Sequence, residues 1–137
     1  MAFDSFSLHG MVPNMREQLL GRRLRDIVHL DALEIVLRFR RAAVENSGPC
    51  LLLSAHPSHA RTHLVGSAPK SSERRHFADV LGTHLFGRDL LDISQVDLDR
   101  VLVLRFDAPK DPLAADSGHR LLIAEMMGKH SNLILVD

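Results

Sequence analysis

Ile35, Leu37 and Phe39 alternate with Glu34, Val36 and Arg38. A period of two sends successive side chains to opposite faces of an extended chain, so this stretch suits a half-buried strand. Short apolar runs return along the rest of the chain, at Leu24 to Leu30, Cys50 to Ala55, Thr62 to Val65, Leu90 to Val96, Arg100 to Phe106, Arg120 to Met126 and Leu133 to Val136. Asn46-Ser47-Gly48-Pro49 and Gly128-Lys129-His130-Ser131 supply turns between antiparallel neighbours. Ala108 to Gly118, with two prolines and three charged residues, reads as a longer exposed loop.

Two segments carry the helical period instead. From about Asp4 to Leu20, Leu8, Met11, Met15 and Leu19 fall on one face, with Asp4 or Ser5 as N-cap and Gly21 past the end. Pro13 should kink this helix or begin a second segment, because it removes a backbone donor. A second helix is expected over Ser72 to Leu85, with Phe77, Val80, Leu81 and Leu85 on its apolar face and Gly87 as its stop. No internal repeat or low-complexity tract is evident. Seven or eight antiparallel strands, preceded by one helix and interrupted by another, predict an α+β fold built as an antiparallel β-sandwich or barrel.

A chain of 137 residues, 45% of them hydrophobic, fits one domain and buries roughly 70% of its unfolded surface. It needs neither a disulfide nor a metal to fold, and the single cysteine, Cys50, has no internal partner; a reducing, cytoplasmic setting is expected. No apolar run reaches the ~18 residues of a membrane span, and the first residues lack a signal-peptide pattern. The final strand runs into Asp137 without a polar tail, which reads as a cut at a domain edge within a longer protein. Seventeen basic residues balance seventeen acidic ones, so bulk capture of duplex nucleic acid by charge alone is excluded, though a local patch is not. With six Phe and no Trp or Tyr, a base-stacking platform is not expected.

Four segments could carry chemistry. His56, His59 and His63 fall close together, but Pro57 breaks any helix that would align them and no Cys or carboxylate joins them; the segment reads as a loop entering a strand rather than a metal site. Ser54 and His56 lack the glycine-framed turn of an activated nucleophile. Asp97-Leu98-Asp99-Arg100 lies between two strands, either as a simple Asp-rich turn or as a carboxylate and a guanidinium displayed side by side to bases and phosphates. Arg16, Arg22, Arg23 and Arg25, followed by Arg38, Arg40 and Arg41, form a basic cluster interleaved with Glu17, Asp26 and Glu34, which is either a solvated face or a phosphate-contacting edge. Gly128-Lys129-His130-Ser131-Asn132 lacks the second glycine of a phosphate loop.

Taken together, Phe3-Asp4-Ser5-Phe6-Ser7-Leu8, Leu52-Leu53-Ser54-Ala55-His56-Pro57-Ser58-His59-Ala60-Arg61, Asp99-Arg100 and Glu125-Met126-Met127-Gly128-Lys129-His130-Ser131-Asn132-Leu133-Ile134-Leu135-Val136-Asp137 resemble the NFACT-N domain. That domain opens RqcH, NEMF and the fibronectin-binding protein A-like proteins. The resemblance spans nearly the whole chain, with the four segments in order.

It implies that residues 1–137 are the first domain of a several-hundred-residue protein with a helix-hairpin-helix region, a coiled-coil arm and a second RNA-binding domain. It implies binding to tRNA, alanyl-tRNA in bacteria, and to large ribosomal subunits obstructed by peptidyl-tRNA, in support of template-free tailing of stalled chains. Carried over position by position, the family's Asp-Arg pair falls on Asp99 and Arg100 and its N-terminal acid on Asp4, with the anticodon arm as their expected contact. This domain is expected to be monomeric, non-catalytic and free of cofactors.

Several positions depart from the family pattern. Leu81-Gly82-Thr83-His84-Leu85 replaces a basic Leu-Arg-Lys stretch on the second helix, His59 replaces a frequent tyrosine and Lys129 a frequent arginine. The implied fold is similar to the N-terminal domain of MutM-type DNA glycosylases. Those enzymes use an N-terminal proline amine with a glutamate beside it, whereas Ala2 and Phe3 follow Met1 here. The competing readings are an adhesion module that binds fibronectin, and a hydrolase or glycosylase built on the histidine segment or the N-terminal amine.

Overall fold

A computed structural model describes residues 5–31, 34–40, 49–56, 60–66, 76–97, 99–108, 118–126 and 131–136. The element order is α1 (Ser5–Leu19), β1 (Leu24–Asp31), β2 (Glu34–Phe39), β3 (Cys50–Ser54), β4 (Arg61–Val65), α2 (His76–Leu85), β5 (Leu90–Gln95), β6 (Val101–Phe106), β7 (Arg120–Glu125) and β8 (Asn132–Val136). β1 to β4 form one antiparallel sheet and β5 to β8 a second, each with its strands side by side in chain order. This is the expected α+β architecture. The start expected for α2, at Ser72, and the turn at residues 46–48 lie outside the described residues.

Both sheets contribute to one core. Ile35, Leu37, Phe39, Leu51 and Leu53 from the first meet Ile93, Leu102, Leu104, Phe106, Leu122 and Leu133 from the second, together with Leu8, Met15 and Leu19 of α1 and Leu81 and Leu85 of α2. α1 lies against β5 and β4, and α2 against β1.

Three expectations need correction. Pro13 begins no second segment, because α1 runs as one helix from Ser5 to Leu19. Pro13 is exposed and the carbonyl it leaves without a donor belongs to exposed His9, so water can replace the lost bond. β2 buries Ile35, Leu37 and Phe39 on one face as expected, but on the other face Val36, between partly exposed Glu34 and Arg38, is also buried, at 1% exposure, in a second cluster with Val28, Cys50 and Leu52.

The third correction concerns repeats. The chain is built from two equivalent halves, each a helix followed by a four-stranded meander. Leu19, Gly21, Arg22, Leu24, Asp26 and Ile27 recur 66 positions later as Leu85, Gly87, Arg88, Leu90, Asp92 and Ile93. Leu37-Arg38-Phe39 recurs as Leu104-Arg105-Phe106, now 67 positions on. The drifting offset, set by unequal turns, hides the repeat from a fixed-period reading.

The structure bears the equivalence out bond by bond. Gly21 N donates to Leu90 O (2.8 Å) and Gly87 N to Leu24 O (3.2 Å); Leu24 N donates to Arg88 O and Leu90 N to Arg22 O, both 2.9 Å. Each bond is the image of its partner, with the Arg23–Asp89 bridge at the centre. Both glycines follow a helix end and have positive φ, 80° and 79°, the left-handed step that closes a helix C-terminus and suits glycine. Even the strand irregularities match, between Leu24 and Asp26 in β1 and between Leu90 and Asp92 in β5.

Candidate functional site

The β5–β6 hairpin carries Asp99 and Arg100, and its turn is fixed by the main chain. Val96 N donates to Val101 O (3.0 Å) and Asp99 N to Val96 O (2.9 Å), which closes a tight loop. Asp97 supplies the reversal with a φ of 48°, a left-handed conformation that Asp tolerates better than most residues. Gln95 Nε2 donates to Asp99 O at 2.8 Å, and the carbonyl of Arg100 accepts from Met126 N at 2.8 Å. Asp99 is exposed and Arg100 partly so. The turn reading holds: backbone groups and the Gln95 side chain fix the loop, with Asp99 at its exposed edge.

Asp4 lies outside the described residues, so its relation to this hairpin is not part of the geometry. Two residues given no site role in the sequence, Glu125 and Asn132, stand near it. The register pairs Val101 with Glu125 and Glu125 with Asn132, which makes a polar row on the second sheet beside the hairpin. The Asn132 carboxamide oxygen accepts from Leu133 N at 2.9 Å. Their signal was present in the sequence as polar residues at both ends of a hairpin, but only strand register shows which row they share.

The basic cluster divides. Arg16 pairs with Asp92 and also donates to Ile93 O at 2.7 Å. Arg23 Nε meets Asp89 Oδ1 at 3.1 Å. Arg22 donates to Gln18 O (2.6 Å) and Arg40 O (3.2 Å), tying α1 to the end of β2. Arg25 and Arg40 are exposed, and Arg38 faces Asp26 across the β1–β2 pair. Arg41 lies outside the described residues.

The histidine segment does not assemble a site among the described residues. His63 lies on β4 opposite Leu52, with Nδ1 3.2 Å from Leu64 O. His56 N donates to Ser54 Oγ at 3.4 Å, so the buried serine closes the turn after β3. His59 lies outside the described residues. No group of three or more His, Cys, Asp or Glu that could hold a metal occurs among the described residues. Burial pushes the Cys50 thiol pKa up, against the opposing pull of Arg38. No helix among the described residues is long and apolar enough to cross a membrane.

Residues 4–137 match the family described as NFACT N-terminal and middle domains. The chain is 32% identical to the Rqc2 homolog RqcH of Bacillus subtilis (strain 168), over its own whole length and 23% of that protein. It is 27% identical to the ribosome quality control complex subunit 2 of Schizosaccharomyces pombe, over 98% of this chain and 12% of that one. Among solved structures, the N-terminal part of the fibronectin/fibrinogen-binding protein from Streptococcus suis superposes with a TM-score of 0.86 at 36% identity, covering 99% of this chain and 49% of that one. The chain thus spans about a quarter of the Bacillus relative.

Proposed function

The chain belongs to the NFACT N-terminal family, and from that membership we propose that it is the tRNA- and ribosome-binding module of a cytoplasmic ribosome quality-control factor. In this reading it has no catalytic centre and no cofactor. It engages large ribosomal subunits that retain peptidyl-tRNA, contacts both rRNA and tRNA, and recruits alanyl-tRNA for tailing of the stalled chain within the longer protein.

The observation that carries the reading is the Asp99-Arg100 hairpin. A guanidinium is a planar fork suited to phosphate oxygens or a guanine edge, and a carboxylate accepts from exocyclic amines. A loop already closed by main-chain bonds loses little freedom when RNA binds, so its contacts are realised as affinity. Asp4 belongs to the same proposed surface on the strength of the family resemblance alone.

Filter binding of unfractionated tRNA to the chain tests this. Asp99→Ala and Arg100→Ala should each weaken binding roughly 5- to 150-fold, the equivalent of about 1–3 kcal/mol for a well-placed base contact. Unchanged affinity in both variants would remove the pair from the site. The adhesion reading is favoured by the name of the Streptococcus suis structure. It predicts saturable fibronectin binding that survives both substitutions.

A further inference from the structure

The two equivalent halves provide an internal control for every side chain, because one backbone is used twice with different residues. Where both halves carry the same residue, the fold accounts for it. Arg22 and Arg88 both clamp carbonyls, those of Arg40 and Asp107 being equivalent. Arg38 and Arg105 both face an aspartate across the first strand pair of their sheet. Where the halves differ, the scaffold does not dictate the choice.

Two exposed positions differ sharply in charge. Arg25, beside the strand irregularity of β1, corresponds to Leu91, which is 40% exposed. Arg40, whose amide donates to Arg23 O at 2.9 Å, corresponds to Asp107, whose amide donates to Asp89 O at 2.9 Å. The first half therefore concentrates Arg22, Arg25, Arg38 and Arg40 at the corner where β1 begins and β2 ends. Asp26 faces Arg38 there, and Asp89 is already engaged by Arg23. In the second half the same corner carries Leu91 and Asp107. A chain of zero net charge has thus placed extra positive charge on one of two otherwise equivalent corners.

We propose that Arg25 and Arg40, flanked by Arg22 and Arg38, form a second contact surface for RNA, one that holds the sugar-phosphate backbone without reading bases. The proposal rests on the RNA-binding reading given above and adds a site to it. β5 begins at the Arg23–Asp89 bridge next to this corner and ends at the Asp99-Arg100 hairpin. At about 3.3 Å per residue the two features lie on the order of 20 Å apart. That separation lets one folded RNA touch both, phosphates at the corner and bases at the hairpin, in the usual division between positioning and specifying contacts.

The test borrows its substitutions from the other half. Arg25→Leu with Arg40→Asp installs residues that the same backbone already carries at Leu91 and Asp107, so the thermal transition should be unchanged. Binding of unfractionated tRNA and of purified large ribosomal subunits is measured against salt. Loss of two phosphate contacts should weaken binding roughly tenfold at moderate salt and flatten the slope of log affinity against log salt by about 1.4–1.8. Arg25→Lys with Arg40→Lys, which keeps the charge, should restore most of that slope.

A loss confined to tRNA or to subunits identifies the RNA and supports the surface either way. If the double variant melts early, Arg40→Asp alone, at an exposed residue outside the strands, should show a slope change of about half that size. Wild-type binding with an unaltered slope in these variants overturns the patch and leaves the functional reading standing. A wild-type chain that binds neither RNA overturns both. Displacement of RNA by polyglutamate at equal charge concentration would mean that the corner prefers an acidic protein, and would also overturn it.

Discussion

The carbonyl of Arg100 accepts a hydrogen bond from the amide of Met126 at 2.8 Å, which fastens the β5–β6 turn to the end of β7. Together with the Gln95 side chain on Asp99 O, it makes the position of the Asp99-Arg100 pair a property of the backbone.

The turn's weak point is Asp97, held at a φ of 48°. Glycine enters that conformation freely, whereas a β-branched residue resists it, at a cost of about 1–2 kcal/mol. Asp97→Gly should leave the melting temperature and tRNA affinity near wild type. Asp97→Val should lower stability by about that amount and weaken tRNA binding in parallel with Asp99→Ala. Chemical denaturation and filter binding on the two variants check both statements. Equal behaviour of Gly and Val would show that the left-handed step does not position the pair.

Much of this architecture was legible in residue order. Eight apolar runs became eight strands with ends shifted by one or two residues, and Leu8, Met15 and Leu19 entered the core as their spacing required. What stayed hidden depends on contacts distant in sequence. The apolar side chain of Val36 looked like an outward position until Val28, Cys50 and Leu52 were placed beside it. The arginine cluster looked uniform until Asp89 and Asp92, far along the chain, took Arg23 and Arg16 out of it. Of the hairpin, sequence could say that it was a turn, but not that Glu125 and Asn132 share its edge.

Equivalent arginines in the two halves should differ in structural weight. Arg88 is 3% exposed and donates to Asp107 O (2.9 Å) and to Gly118 O, thereby holding both ends of the β6–β7 connection. Arg22 makes the equivalent bond to Arg40 O, and a second to Gln18 O of α1, from a partly exposed position, where water can replace it. Removing a charged donor from these part-buried carbonyls costs about 1.5–3 kcal/mol, and less where solvent enters. Arg88→Met should therefore lower unfolding free energy by about 1.5–3 kcal/mol and Arg22→Met by about 1 kcal/mol, both read from urea denaturation midpoints. Similar losses in the two variants would contradict the assignment.

Cys50 links stability to high pH. Burial, partly offset by Arg38, raises its pKa above the ordinary 9.0, so the folded protein holds the thiol proton more tightly than the unfolded chain does. Stability from this group is complete below pH 9 and declines as the pH rises beyond it, because the unfolded thiol ionises first. Cys50→Ala should flatten the alkaline fall in melting temperature. The native thiol should also resist alkylation at neutral pH and react at full rate in denaturant. Rapid native labelling would show that the second cluster is open to reagent.

The internal equivalence also predicts a residue that would fit where this chain has none. Arg16 on α1 reaches Asp92 and the Ile93 carbonyl, and α1 lies against β5 as α2 lies against β1. The position equivalent to Arg16 is Gly82, and the residues equivalent to Asp92 and Ile93 are Asp26 and Ile27. Gly82 is buried under the Phe86 ring, whose atoms would stand 2.5 and 2.7 Å from an added Cβ. Phe86 is 49% exposed, so its ring can swing outward, and its equivalent, Leu20, is smaller. Gly82→Arg combined with Phe86→Leu should let the guanidinium reach Asp26 as Arg16 reaches Asp92. Replacing a mid-helix glycine gains up to about 1 kcal/mol in helix propensity, and a partly exposed ion pair adds about 0.2–1 kcal/mol. The double variant should melt several degrees higher. The ion-pair share should vanish when Asp26→Asn is added, while the propensity share remains. A variant that melts at or below wild type would mean that the α2–β1 contact does not reproduce the α1–β5 geometry at the side-chain level.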